Sequence, residues 1–212
     1  MADIHTDIKP GTIVLDTSTS KPTTSKYLSN LAAEQGYYFL DAPVSGGPIA
    51  ANAGTMTMLI GGDSRALTIA RPVLKHITAR IVEVGSSGSG HAAKIANNML
   101  CAANLVLVEE AVRMAQAAGV AADELLEGIN AGSGRSGVSE VNFPRWILNE
   151  KYDSGFTMGL MRKDVRLALE LAAQGNVRLQ AFEEIARLWD KSVETLPDSE
   201  DFNKIVERGV VT

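Results

Sequence analysis

Apolar residues come in short blocks through the first third of the chain and in one long block after it. Thr12-Ile-Val-Leu-Asp16 is a β-rich run ending in an acid. A polar loop, Thr17-Ser-Thr-Ser-Lys-Pro22, separates it from a helical stretch through Leu31-Ala-Ala-Glu-Gln35, which Gly36 stops. Tyr37-Tyr-Phe-Leu40, Thr55-Met-Thr-Met-Leu-Ile60 and Arg80-Ile-Val-Glu-Val84 are three further predicted strands. A short helical turn is expected at Ala50 to Ala53, and Asp63 is placed to cap a helix through Leu74. Strand and helix therefore alternate to about residue 85, which implies a sheet flanked by helices.

The pattern changes after Gly85-Ser-Ser-Gly-Ser-Gly90. From His91 to Ala118 there is no Pro or Gly, and Ala, Leu and Val dominate up to Gly119, so one helix of roughly 28 residues is expected. A helix this apolar on most faces is expected to be wrapped by other helices or by a second subunit. Helical patterns follow at Ala122 to Ala131, Asp164 to Ala173, Leu179 to Thr195 and Phe202 to Glu207, with no convincing strand. The reading is an α/β domain at 1–87 and an all-helical domain at 88–212.

Composition narrows the function classes. The 212 residues are 45% hydrophobic, enough to bury a core, and carry 20 basic against 25 acidic residues for a net charge of −5. No Lys/Arg cluster is interleaved with aromatics, so nucleic-acid binding is not expected. The single cysteine, Cys101, lies in an apolar run and is expected to be a small buried hydrophobe. No metal site is expected. With no signal-peptide pattern at Met1-Ala-Asp-Ile-His and no apolar run judged long enough to span a bilayer, the expected compartment is the cytoplasm, without membrane contact.

Three segments carry candidate chemistry. Asp41-Ala-Pro-Val-Ser-Gly-Gly47 takes a strand into a loop in which Pro43 fixes the turn, Ser45 offers a hydroxyl, and Gly46 and Gly47 leave their amides unshielded; it suits a small anion or is an ordinary Gly-rich turn. Lys94 and Asn98 stand four apart near the start of the long helix, on the face that also carries His91. Lys94 is either a solvated lysine or a general acid/base, a role lysine fills when desolvation or a nearby positive charge lowers its pKa. In Phe156-Thr-Met-Gly-Leu-Met-Arg-Lys-Asp164, Asp164 is expected to cap the next helix, and Lys163 either reaches back to a bound anion or is solvated at that helix start.

Gly88-Ser-Gly90-His-Ala-Ala93 matches the G-x-G-x-x-G/A dinucleotide fingerprint. That fingerprint operates inside a strand–helix–strand unit, with an acid at the end of the following strand. Here the helix simply continues, and Glu109 and Glu110 lie on it. The segment reads better as a flexible hinge between the two domains.

Taken together, Pro10 to Pro22, Asp41 to Gly62, Gly88 to Asn98 and Phe156 to Asp164 resemble, in order and spacing, the β-hydroxyacid dehydrogenases typified by 3-hydroxyisobutyrate dehydrogenase. The resemblance covers nearly the whole chain. It implies Lys94 as the catalytic lysine, Asn98 as the residue that orients substrate, and Ser45, Gly46 and Gly47 as the cradle for its carboxylate. It further implies cofactor contacts from Ser18 or Thr19 and from Lys163, with Asp164 beside it. The implied reaction is reversible hydride transfer between NAD or NADP and a small 3-hydroxy acid or its semialdehyde. The long apolar helix itself leads to the expectation of a homodimer or homotetramer built through it.

An imine reductase of related architecture is disfavoured by the lysine. The family's opening strand and Gly-rich fingerprint precede the segment matching Thr12, so the fold class expected here is an α/β remnant of a Rossmann-type sheet followed by an all-α domain with one long central helix. Impaired cofactor binding is expected with it. The competing class is a non-catalytic, carboxylate-binding or dimerising remnant.

Overall fold

The computed structural model describes residues 7–209, so the Met1 to His5 stretch read for a leader lies outside the described residues. The chain divides into two compact units, Met1–Ala96 and Asn97–Thr212.

The first unit has a five-stranded sheet: β1 (Ile13–Asp16), β2 (Tyr38–Asp41), β3 (Val44–Ser45), β4 (Met56–Gly61) and β5 (Thr78–Gly85). Helices α1 (Pro22–Glu34), α2 (Gly47–Ala53) and α3 (Ser64–Leu74) connect them. β1 runs parallel to β2, and β5 parallel to β4. β4 is antiparallel to both β2 and β3, because the chain bends at Ala42-Pro43 and continues along the same edge of β4.

Side-chain alternation along β2 feeds two cores. Phe39 packs with Leu28 and Ala32 of α1, while Leu40 on the other face joins Met58, Ile60 and the α3 residues Ala66, Leu67, Ala70 and Leu74. Each such large side chain contributes about 1.5–3 kcal/mol when fully buried. Asp63 caps α3 as expected, its Oδ1 accepting from the backbone N–H of Arg65 (2.8 Å) and Ala66 (2.9 Å). The two-residue strand β3 was not expected. It is too short to carry a period, and only its pairing with β4 defines it.

Helix α4 (Ser89–Ala117, 29 residues) starts in the first unit and continues into the second. The second unit adds α5 (Ala122–Ala131), a π-helix (Val138–Ile147), α6 (Met158–Gln174), α7 (Gln180–Lys191) and 3₁₀ turns at Ser192–Glu194 and Phe202–Gly209. Among its described residues the only β contact is the isolated bridge Thr157 to Asp201.

One expectation is corrected here, and one element was not expected. α6 begins six residues before Asp164. Thr157 caps it by accepting from Leu160 N–H, and the first-turn amides of Met158 and Gly159 donate to the carbonyls of Glu200 and Asp198. At Gly159 a Cβ would lie 2.9 Å from the Asp198 Cβ, so the close approach of the C-terminal segment requires the glycine. The π-helix holds Pro144, which denies the usual i→i−4 ladder an N–H; the chain winds wider, with Leu148 N–H donating to the Phe143 carbonyl at 2.9 Å.

The expectation that no run is long enough to span a bilayer is also corrected. By length and composition alone α4 qualifies, and part of it is buried within the protein. Such a helix is common as the core of a folded domain. α4 also buries His91, Lys94, Asn98 and Glu109, polar groups that a lipid-facing helix would have to desolvate. Cys101 is half-buried rather than buried.

The second unit is held by Trp189 and Arg162. Trp189 is fully buried and donates its indole N–H to the Ala102 carbonyl of α4 at 3.2 Å. The buried Arg162 guanidinium donates to Asp198 Oδ1 (2.6 Å), the Leu196 carbonyl (2.7 Å) and Ser192 Oγ (2.9 Å).

Tyr152 stands at the edge of this unit with the Lys204 ammonium 5.7 Å from its ring centre. Burial first, then the carboxylates of Glu207, Glu150 and Asp201, push its phenol from 10.0 up to about 12. The folded state thus favours the protonated phenol. The associated stability is fully present below pH 10 and is lost as pH rises from about 10 to about 12. Alkaline unfolding followed with tyrosinate absorbance should show this loss, and Tyr152→Phe should abolish that part of it.

Candidate functional site

The candidate residues fall into two groups, one within each unit. In the first, β3 carries Ser45 and the first turns of α4 carry Lys94. Lys94 Nζ donates to Ser45 Oγ at 2.7 Å, and the lysine is only 8% exposed. The alternative of a solvated surface lysine is thereby corrected. Nearby, Gly46 and Gly47 are exposed and hold φ of +121° and +63°. A Cβ at Gly46 would sit 2.4 Å from Ala50 Cβ, so the turn into α2 admits only glycine.

Asp41, at the end of β2, is completely buried. Its Oδ1 accepts from Gly88 N–H at 2.7 Å and its Oδ2 from His91 N–H at 3.1 Å. The amides at the start of α4, where a fingerprint would place a pyrophosphate, are therefore taken up by a carboxylate of the chain itself. The hinge expected at Gly88 is corrected by the same geometry. Gly88 has φ +91° and a Cβ there would meet the Pro22 carbonyl at 2.9 Å, so it is a packed turn.

His91 is fully buried. Its Nδ1 lies 2.7 Å from Ser25 Oγ on α1, and its Nε2 lies 3.7 Å from Asp16 Oδ2. Asp16 Oδ1 in turn accepts from both the backbone N–H (3.0 Å) and the hydroxyl (2.6 Å) of Ser18. The loop after β1 is thus ordered by its own acid, with Ser18 exposed and Thr19 half-buried.

In the second unit, Asn98 lies one helical turn beyond Lys94 on α4 and is 5% exposed. Its Nδ2 donates to Asp164 Oδ2 at 2.5 Å, and Lys163 Nζ lies 3.1 Å from Asp164 Oδ1. Asp164 does not cap a helix, as was expected. It lies in the second turn of α6, 1% exposed, and serves as the acceptor joining Asn98 to Lys163. Among the described residues no three His, Cys, Asp or Glu side chains gather as metal ligands would.

Sequence reasoning missed Asp41, Asp16 and the Asn98–Asp164 pair. Their partners stand 47 or more residues away, apart from the local Asp16–Ser18 contact, and no spacing rule reports such pairs. An acid at the end of a β-rich run was the only local signal for Asp16 and Asp41.

Residues 88–208 match a family profile described as NAD-binding of NADP-dependent 3-hydroxyisobutyrate dehydrogenase, and residues 1–85 match the NAD binding domain of 6-phosphogluconate dehydrogenase. The chain is 37% identical to 2-(hydroxymethyl)glutarate dehydrogenase of Eubacterium barkeri, over 81% of this chain and 57% of the relative. It is 40% identical to the NAD-dependent L-serine dehydrogenase of Pseudomonas aeruginosa, over 78% of this chain and 57% of the relative. Among solved structures, the 3-hydroxyisobutyrate dehydrogenase of Mycobacterium tuberculosis with L-serine superposes with a TM-score of 0.87 at 31% identity, covering 97% of this chain and 72% of that one.

A Rossmann-type α/β unit leading through one long helix into a helical unit is thus a dehydrogenase architecture. With both profiles and these relatives in agreement, the chain belongs to the β-hydroxyacid dehydrogenase family, with 3-hydroxyisobutyrate dehydrogenase-like relatives. It spans a little under three-fifths of the length of the first curated relatives it matches.

Proposed function

We propose that this chain serves reversible hydride transfer between NAD or NADP and a small 3-hydroxy acid or its semialdehyde. The observation that carries the reading is the buried Lys94 ammonium donating to Ser45 Oγ at 2.7 Å. A desolvated lysine held by a hydroxyl beside exposed glycine amides suits a proton donor next to a carboxylate cradle. In this reading the neutral Lys94 amine takes the substrate hydroxyl proton during oxidation, and the ammonium so formed returns it to the carbonyl oxygen during reduction. Ser45, Gly46 and Gly47 hold the carboxylate, and Asn98, fixed by Asp164, orients the substrate.

The nicotinamide, when bound, accepts or supplies the hydride. Ser18, Thr19, Lys163 and Asp164 are assigned to its contacts. Its pyrophosphate does not fit the start of α4, where Asp41 already occupies the Gly88 and His91 amides.

The family profiles meet between residues 85 and 88, which supports a domain division of 1–87 and 88–212; contact density instead keeps the first turns of α4 with the sheet. A homodimer or homotetramer through the long helix is supported by Leu100, Leu107 and Met114, exposed on α4 at seven-residue intervals. The same stripe favours the second reading, a dimerising or carboxylate-binding module without turnover. The proposed compartment is the cytoplasm.

Fluorescence titration with NADH and NADPH, followed by turnover assays with L-serine and 3-hydroxyisobutyrate, separates the two readings. Saturable binding with turnover is the expected result. Absence of binding at millimolar cofactor would sink the enzymatic reading for this chain.

A further inference from the structure

We propose that Asp41 is the positioning residue that sets the Lys94–Ser45 pair, a built-in anion seated where a dinucleotide phosphate would sit on a fingerprint of this kind. The inference rests on the proposed reading only where it concerns turnover.

Two independent features support it. First, the carboxylate divides its oxygens between two amides at the start of α4, Gly88 N–H at 2.7 Å and His91 N–H at 3.1 Å, with the whole residue removed from solvent. Second, the surrounding glycines are shaped to it. A Cβ at Gly61 would lie 2.9 Å from Asp41 Oδ2, and a Cβ at Gly90 would lie 2.5 Å from the Asp41 carbonyl oxygen and 2.9 Å from Oδ2. The glycine at position 90 that imitates a nucleotide fingerprint is therefore explained by an internal ligand.

The clamp lies close to both members of the pair. From Asp41 the chain reaches Ser45 through Ala42 and Pro43, both buried, with Ala42 N–H donating to the Asp16 carbonyl and the Pro43 carbonyl accepting from Leu59 N–H. From the clamped His91 amide it reaches Lys94 within a single helical turn. Asp41 thus ties the strand that carries the hydroxyl to the helix that carries the ammonium. A shift of α4 by one residue's rise, about 1.5 Å, would separate Nζ from Oγ.

The charge and symmetry of the carboxylate matter as well as its shape. An asparagine has one acceptor oxygen; its amide NH₂ would face the second backbone N–H, donor against donor. Asp41→Asn therefore keeps the volume and breaks the clamp.

The test measures the rate at which an amine-specific reagent modifies Lys94, read by peptide mass spectrometry. It compares the unaltered chain with Asp41→Asn and with Ser45→Ala, which removes the hydroxyl partner directly. Expected is a rise of about tenfold at Lys94 in Asp41→Asn, matching Ser45→Ala, with the exposed Lys191 unchanged and circular dichroism preserved. A folded Asp41→Asn chain with Lys94 modified within twofold of the unaltered rate overturns the proposal.

Should that variant fail to fold, native-state hydrogen exchange of the unaltered chain decides: Gly88 and His91 amides among the slowest support the clamp, and exchange at loop rates overturns it. Where turnover is measurable, Asp41→Asn is expected to lower kcat about 100-fold with KM nearly constant, the pattern of a misplaced reacting group. Absence of turnover in the unaltered chain would remove the enzymatic reading and leave the labelling result standing.

Discussion

Lys94→Ala is expected to lower turnover of a hydroxy acid by about 10³-fold, within the 10²–10⁴ range for removing a positioned general acid/base. Cofactor affinity should change little, because the residues assigned to it lie on the loop after β1 and on α6. The loss corresponds to about 4 kcal/mol of transition-state stabilisation. Lys94→Arg sharpens the experiment. An arginine keeps the positive charge and can still donate to Ser45 Oγ, but it does not release a proton at working pH. Both variants should therefore fall together in kcat. A Lys94→Arg chain within tenfold of the unaltered one would show that the charge at this position matters and its proton does not.

Trp189→Ala is expected to destabilise the second unit by about 4 kcal/mol, in the range for removing a buried large aromatic side chain. The residue is fully buried, its indole N–H reaches the Ala102 carbonyl of α4, and its own carbonyl accepts from Ser192 Oγ at 2.5 Å. The substitution thus opens a void and removes the indole's hydrogen bond to α4. Since folded domains of this kind hold only about 5–15 kcal/mol in total, the midpoint of urea unfolding should fall far enough to read without extrapolation. Trp189→Phe should cost less, since it keeps most of the volume and loses mainly the hydrogen bond. A loss under about 1 kcal/mol for Trp189→Ala would show that α7 does not unfold cooperatively with α4.

Local chemistry made much of the fold legible. Asp63 announced α3 because an N-cap acts within three residues, and its carboxylate accepts from the amides of Arg65 and Ala66. The apolar run Tyr37-Tyr-Phe-Leu40 marked a strand, whose side chains pack into a core on each face. The stretch after Gly90 without Pro or Gly, rich in Ala, Leu and Val, marked α4. The errors fall where distant chain decides. The first-turn amides of α6 are satisfied by residues 198 and 200, so a reading confined to neighbours started that helix at Asp164. β3 exists only as a partner of β4.

The candidate site divides in the same way. Residue type and spacing pointed to Lys94, Asn98 and the Ser45-Gly46-Gly47 turn, and their agreement in order with a known family gave each a role to test. Nothing in the spacing showed that Lys94 meets Ser45, that Asn98 meets Asp164, or that Asp164 sits inside a helix rather than at its start.

The sequence by itself determined the order of the elements, the change from a sheet-forming to an all-helical half, and the residue types that bear chemistry. These depend on periods, caps and breakers that act over a few residues. Only the tertiary structure decided what each polar group faces. A buried polar group needs a partner, and partners such as Asp41 for Gly88 and His91, or Asp164 for Asn98, stand 47 to 66 residues away. The apparent nucleotide fingerprint shows the difference: its glycines could be read from the chain, but the anion that fills it is Asp41, brought there by the end of β2.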